Sequence, residues 1–365
     1  MKKFITTIVI CLLAITTVFS LVACNGADAN KKEAGLYYKV LKGDDFYTVY
    51  DYVAEDGKTV LDLNEYNKNG VVIGKIASGA FKNNDTIKEI IVPETVEEIA
   101  SGAFSNMKAL EKITLPFIGK NANADTFYGE SAPSEEKSID AQRTLAYLFG
   151  TERYAGGASI TSNYGAGSAT YYVPATLQEV TITCEKEGRD AYGIPMYAFN
   201  GFTAISKVNL IGNIDVIGVS AFDGCHALSS INIPASVKEI KDYAFANTDY
   251  LDKGLDIKDS KFVKIGVGAF KNAKITSIVL PETVKEIGEQ AFVGSTLASI
   301  TLSKDLVLID AYAFYGCEKL ATVDQSKVAG TISLKNSAFE NCKLLVSSTL
   351  TKISVDGANV FAGTK

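Results

Sequence analysis

Leu228-Ser229-Ser230-Ile231-Asn232-Ile233-Pro234-Ala235-Ser236-Val237-Lys238-Glu239-Ile240-Lys241-Asp242-Tyr243-Ala244-Phe245 holds three signals in a row. Ile231 and Ile233 are two apart, so both side chains lie on one face of a short strand and Asn232 on the other. Pro234 cannot donate a ladder hydrogen bond and stands where the strand should stop. Val237 and Ile240 bring the chain back to the interior at a turn-like spacing. Ala244-Phe245 then supplies a small contact and a large filler for an opposite wall.

The unit recurs. Ala-Phe pairs place phenylalanine at Phe81, Phe104, Phe199, Phe222, Phe245, Phe270, Phe292, Phe314 and Phe339, with steps of 23, 95, 23, 23, 25, 22, 22 and 25. Ile-Ala-Ser-Gly-Ala-Phe occurs at Ile76–Phe81 and again at Ile99–Phe104. Pro-Glu-Thr-Val-x-Glu-Ile occurs at Pro93–Ile99 and Pro281–Ile287. The consensus is I-x₃-A-F-x₅-[LI]-x₂-[IV]-x-[LIV]-P-x₂-V-x₂-I. A unit this short cannot bury its apolar groups alone, but stacked units share a continuous core, so the chain reads as a repeat solenoid. Two units, Tyr250–Lys264 and Asp324–Leu334, are stretched and are expected to be irregular.

The pattern resembles the BspA-like leucine-rich repeats (LRR_5 type) of bacterial surface proteins, over most of residues 76–361. The resemblance implies an α/β leucine-rich-repeat fold, with parallel strands on one wall and short helical or irregular turns on the other. Ten turns at a strand spacing of about 4.8 Å would give a body some ~45–50 Å long. Solenoid ends need caps. Residues 35–75 alternate apolar and polar (Leu36, Tyr38, Val40, then Tyr47, Val49, then Val60, Asp62), which predicts a small antiparallel β meander as the N-terminal cap. Val360-Phe361 looks like a truncated last unit.

Composition narrows the function. The chain has 365 residues, 47% hydrophobic and 21% charged, which excludes a disordered protein. Thirty-six basic against 42 acidic side chains give a net charge of −6 and a pI near 5.1, the wrong sign for a phosphate-binding surface, so no nucleic-acid partner is expected. One histidine and no tryptophan leave little for histidine chemistry or zinc.

Lys2 and Lys3 precede an apolar run from Phe4 to Val22, the pattern of a secretory signal. Its ending, Leu21-Val22-Ala23-Cys24, resembles a bacterial lipobox. That resemblance implies a signal peptide over 1–23, cleavage before Cys24, and diacylglycerol on the Cys24 thiol. The alternative is an uncleaved membrane helix, against which four threonines in the run argue (Thr6, Thr7, Thr16 and Thr17). Residues 24–34 are polar and small and read as a tether. Of the remaining cysteines, Cys225, Cys317 and Cys342 share one slot, three residues after a phenylalanine. That slot suits apolar filler in a stacked column, with a disulfide between neighbouring turns as the alternative.

Residues 117–172 interrupt the repeat. Ser138–Phe149 places Ile139, Leu145, Leu148 and Phe149 on one helical face, with Glu135 and Glu136 ahead and Gly150 behind, which predicts a short helix. Tyr154–Tyr172 is rich in Gly, Ala, Ser and Tyr, the composition of contact loops, and Tyr154, Tyr164, Tyr171 and Tyr172 are its candidate contact residues. Insertions with a Leu-Phe-Gly element occur in relatives of the repeat, so the resemblance also allows an architectural role.

No constellation points to chemistry. Cys225-His226 has the residue types of a nucleophile pair, but adjacent side chains rarely face each other. Asn121-x-Asn123-x-Asp125 lacks the glycine and the final acid of a calcium loop. No phosphate-binding glycine motif is present. No catalytic residue, metal or cofactor is therefore expected. What the repeat does line up is the outward strand position: Ile91, Thr114, Thr181, Asn209, Asn232, Val279, Thr301 and Asp324. This row is either a binding stripe, with Thr114, Thr181, Asn209, Asn232, Thr301 and Asp324 as its polar members, or plain strand propensity. The function expected is that of a lipid-anchored, monomeric, non-catalytic surface protein, adhesive towards an extracellular protein or glycoconjugate. The alternatives are a cell-envelope scaffold without a specific ligand and, last, a hydrolase.

Overall fold

The computed structural model describes residues 31–41, 43–122, 142–164, 167–185, 192–251 and 255–365. The signal segment, Cys24, the first part of the tether, Ile139 and the centre of the calcium-like motif fall outside the described residues.

The chain winds as a parallel-strand solenoid of about 12 turns. Nine carry an Ala-Phe pair; the other three hold Tyr52, Phe149 and Phe361 at the same level of the interior. One wall is built from the I-x-[LIV]-P strands. Val60–Asp62, Glu89–Ile91, Lys112–Leu115, Glu179–Ile182, Lys207–Leu210, Ser230–Asn232 and Leu255–Asp256 form a seven-stranded parallel sheet. Ser277–Val279, Ser299–Thr301 and Thr322–Asp324 form a separate three-stranded one. The break between them follows the stretched Tyr250–Lys264 unit, whose strand is cut to two residues.

The V-x₂-I segment, read as a turn, is a second strand wall. Eight strands from Tyr192–Ile194 to Ile353–Val355 stack in parallel, four of them only two residues long. Neighbouring turns pair over one to three residues, and Gly266 N bonds Ile240 O at 3.1 Å where the pairing is shortest. This wall crosses the stretched units without a break.

The third wall has little helix. Its Ala-Phe segments are turns held to the next coil by a ladder of their own, with Phe245 N to Ala269 O at 2.8 Å and Phe270 N to Ala291 O at 2.7 Å. The tight winding requires left-handed backbone two residues before and two after the phenylalanine. The second slot is Asn or Gly in every Ala-Phe coil, from Asn83 (φ 65°) to Asn341 (φ 62°), the types that accept it at least cost. Inside, the phenylalanines stack. From Phe199 to Phe361 successive rings lie 4.8–5.8 Å apart with interplanar angles of 1–13°.

The N-terminal sheet is antiparallel over Lys31–Glu33, Leu36–Val40 and Tyr47–Tyr52, then turns parallel where Tyr47–Tyr52 meets Ile73–Ile76. Lys31–Glu33, assigned to the tether from composition, is thus part of the cap. Ala34 and Gly35, both left-handed (φ 43° and 82°), make the two-residue hairpin turn that folds it back. Lys31 and Lys32 lie over the Tyr47 and Tyr37 rings. Val60–Asp62 belongs to the solenoid's first parallel strand, and Leu61 rather than Val60 points inward.

Residues 117–172 contain a coil of their own. Phe117 and Ile118 are buried, and Lys120 carries the second wall forward by accepting from Ile99 N at 2.8 Å. Leu145–Leu148 is a 3-10 turn, capped by the Thr144 hydroxyl, and Leu148-Phe149 takes the place of Ala-Phe. Glu179–Ile182 then pairs in register with Lys112–Leu115. Two segments are interposed in this coil. One lies between Ala122 and Gln142; the other is a hairpin of Gly157–Tyr164 with Gly167–Pro174.

Candidate binding faces

The parallel register places Ile91, Thr114, Thr181, Asn209 and Asn232 in one row, each opposite the next. Val279, Thr301 and Asp324 form a second row on the three-stranded sheet. The eight positions are therefore two rows. Within the longer one, much hydrogen-bonding capacity is used internally. The Asn209 amide donates to Thr181 Oγ1 at 3.1 Å and to Glu179 Oε1 at 2.8 Å. Asn232 accepts from Leu210 N at 2.8 Å and donates to Leu210 O at 2.6 Å, extending the ladder past the point where Ile233-Pro234 leaves it. Asp324 accepts from Ser326 N at 2.8 Å, and this bond lowers its carboxyl below the usual range. The Thr114 and Thr301 hydroxyls make no such bond among the described residues.

The flanking row is charged. Glu179 lies between Lys207 at 2.8 Å and Lys112 at 3.7 Å, and the Lys207 hydrogen bond holds its carboxyl below the ordinary value. The face is flat and mixed in charge, fitted to polar contact over several coils.

The hairpin separates its tyrosines. Tyr171 pairs with Ile160, and both are about 4% exposed. Strand alternation that turns Tyr172 outward turns Tyr171 in, so Tyr171 is packing and not a contact residue. Tyr154 lays its ring against Gly157, where an added Cβ would come within 3.0 Å of it, and burial pushes its phenol well up. Tyr172 is half-buried, and Tyr164 ends its strand.

Cys225 and His226 face opposite ways. Cys225 Sγ donates to Phe199 O at 3.1 Å inside the solenoid; His226 Nδ1 lies 2.9 Å from Asp249 outside it. Cys317 and Cys342 repeat the inward contact, to Phe292 O at 3.0 Å and Phe314 O at 3.1 Å. All three thiols are raised by desolvation, Cys317 to about 12. All three are buried and form no disulfide, so the shared slot is a filler column rather than a disulfide ladder. No metal-ligating cluster occurs among the described residues.

One face escaped sequence reasoning. On the Ala-Phe wall the residues two before and one after each phenylalanine form parallel rows, some buried, as Ser105, Ser220 and Ala246 are, and some exposed, as Tyr312 is. At the C-terminal end they enclose a groove of about 410 Å³ containing Tyr312, Tyr315 and Glu340. The signal was present in the repeat, in the tyrosine on either side of Ala313-Phe314, but only the inward residue of each unit had a defined neighbour.

The profile of the BspA type leucine rich repeat region matches the chain in six copies, over residues 72–150, 192–260 and 263–365. No curated protein matches. Among solved structures, a leucine-rich repeat protein from Bacteroides ovatus is similar at 19% identity, covering 91% of this chain and 92% of that one, with a TM-score of 0.40. A leucine rich cell surface protein from Faecalibacterium prausnitzii is 18% identical over 93% and 99% of the two chains, with a TM-score of 0.30. The pneumococcal vaccine antigen PcpA is 15% identical over 91% and 98%, also with a TM-score of 0.30.

Proposed function

The chain belongs to the BspA-type leucine-rich repeat family, and we propose that it is an exported, non-catalytic binding protein of the bacterial cell surface. In this reading lipid on Cys24 anchors a monomer to the membrane, and a solenoid face engages an extracellular protein or glycoconjugate. Two acyl chains anchor stably where one does not.

The observation that supports binding is the in-register row of Thr114, Thr181, Asn209 and Asn232, which offers one polar side chain per coil on a flat wall. A row of this kind suits an extended partner better than a small solute, since no cleft closes over it. The test is binding of the purified chain to immobilised matrix proteins and mucin. Saturable binding is expected, and T114K with T181K should abolish it while the melting temperature holds. Cys24→Ser should release the protein from membranes and end fatty-acid labelling.

A second reading, an envelope scaffold without a specific ligand, draws on one observation: the Asn209 and Asn232 amides are spent within the wall. No binding across the panel, with anchoring intact, would favour it.

A further inference from the structure

We propose that the groove on the Ala-Phe wall at Tyr312 and Tyr315 binds an uncharged oligosaccharide. This is a separate site from the strand wall. Its two sides are Gln290, Tyr312 and Ser337, each two residues before a phenylalanine, and Tyr315 and Glu340, each one residue after.

Three observations carry the assignment. The first is strain. Tyr312 is left-handed (φ 58°) in a slot that other coils fill with Gly79, Gly102, Gly268 or Asn359, or with Tyr197, Ser220, Tyr243, Gln290 or Ser337, all left-handed as well. A bulky side chain held in that conformation is unfavourable for the fold, and such outliers gather at ligand sites. Tyr197 and Tyr243 occupy the same slot, but Tyr197 is half-buried and the Tyr243 ring covers Gly268, where a Cβ would lie 2.4 Å from it. Tyr312 covers no glycine and is 41% exposed.

The second is the aromatic corner. The Tyr312 and Tyr315 rings meet edge to face, 5.9 Å apart at 66°. They leave apolar faces open beside phenol hydroxyls that make no hydrogen bond among the described residues. A pyranose presents the matching surface, a patch of C–H groups rimmed by hydroxyls. Polar groups for those hydroxyls stand alongside: the Ser337 hydroxyl, the Glu340 carboxylate, which has no ion-pair partner among the described residues, and the Gln290 amide, which also donates to Glu289 at 3.3 Å and accepts from Lys271 at 3.4 Å.

The third excludes competing ligands. Backbone groups along both sides are consumed between coils, as in Gln290 N to Ala311 O, Tyr312 N to Asn336 O and Gly316 N to Glu340 O at 2.9–3.0 Å. An extended peptide therefore finds no edge to pair with. The unpaired Glu340 carboxylate repels phosphate, sulfate and sialic acid. Lys343, near in sequence, is engaged by Glu318 at 2.6 Å. An uncharged sugar remains.

The experiment is calorimetric titration of the full chain with maltotriose, cellotriose, mannotriose, N-acetylchitotriose and lacto-N-neotetraose. Saturable binding of at least one is expected, weakened tenfold or more by Tyr312→Gly and by Tyr315→Ala. Tyr312→Gly is the decisive variant because glycine suits φ 58°, so its melting temperature should equal or exceed that of the parent while binding falls. Tyr250→Ala, exposed elsewhere, should leave binding unchanged. The proposal is overturned if none of the five binds at millimolar concentration, if Tyr312→Gly binds as the parent does, or if an acidic glycan or a peptide is bound in preference. Matrix or mucin binding that survives Tyr312→Gly belongs to the strand wall, so each reading can fail alone.

Discussion

The coils from Phe199 to Phe361 and the coil from Lys112 to Ile182 solve the same packing problem with different precision. In the first run every phenylalanine lies nearly parallel to the next, down to 1° between Phe222 and Phe245. In the second, Phe149 is equally buried but sits 6.2 Å from Phe104 and tilted by 51°. Leu148 replaces the alanine found elsewhere, and the bulkier side chain leaves less room for a parallel ring. Yet Thr181 pairs with Thr114 on the strand wall as if nothing intervened. Backbone ladders therefore hold the winding, while side-chain stacking improves the packing where spacing and residue type allow. A coil can host a hairpin as long as the chain returns to its ladder.

The largest test of this contrast is a pair of core deletions. Phe245→Ala removes a ring stacked on both sides and should cost about 3–5 kcal/mol in denaturant unfolding. Phe149→Ala should cost roughly 1 kcal/mol less, since it forfeits a tilted contact rather than two parallel ones. Equal costs would show that stacking adds nothing beyond burial.

Next come the buried thiols. The unfolded chain ionises its cysteines near 9.0, whereas folded Cys317 keeps its proton up to about 12 and Cys225 and Cys342 are also raised. Their contribution is fully present below pH 9 and is lost as pH rises through the window above it. The loss should be on the order of 1 kcal/mol per pH unit for each thiol. Unfolding midpoints between pH 8 and 10.5 should fall more steeply for the native chain than for a Cys225→Ala, Cys317→Ala, Cys342→Ala variant. Parallel slopes would place the thiols in contact with solvent.

Gly79 tests the turn wall. It is left-handed (φ 71°) and an added Cβ would meet nothing closer than 3.8 Å, so Gly79→Ala isolates backbone strain and should cost about 1–2 kcal/mol. A neutral result would mean that the turn can relax, and that the tyrosine at 312 carries less strain than its dihedral implies.

How far these features could be read in advance depended on how many residues specified them. The strand wall needs Ile231, Asn232 and Ile233 in strict alternation, and the pattern was plain. The Phe column followed from nine identical pairs. The second strand wall was missed because Glu239–Ile240 and its equivalents are two residues long, too short for alternation to differ from a turn. Phe149 was missed as a column member because Leu148 masks the Ala-Phe signature. The left-handed slots were visible as Asn83, Gly224, Asn247 and their equivalents, although only the winding explains why those positions need such residues. The binding row was legible in its members but not in its state: whether an asparagine faces solvent or bonds its neighbour depends on where the adjacent strand ends.

That last distinction gives the smallest effects and the finest comparison. Asn232→Ala removes both bonds to Leu210, leaving a partly buried N–H and C=O at a strand end to water, and should cost about 1 kcal/mol. Lys207→Ala breaks a 2.8 Å ion pair with Glu179, but the lysine is roughly half exposed, so solvent screening should keep the change below about 0.5 kcal/mol. If the two costs prove equal, Asn232 is held only as loosely as a surface charge, and its amide is available to a partner. If Asn232→Ala is the more costly, the asparagine is a structural end-piece of the ladder, and any ligand on this wall must be read through Thr114 and Thr181 instead.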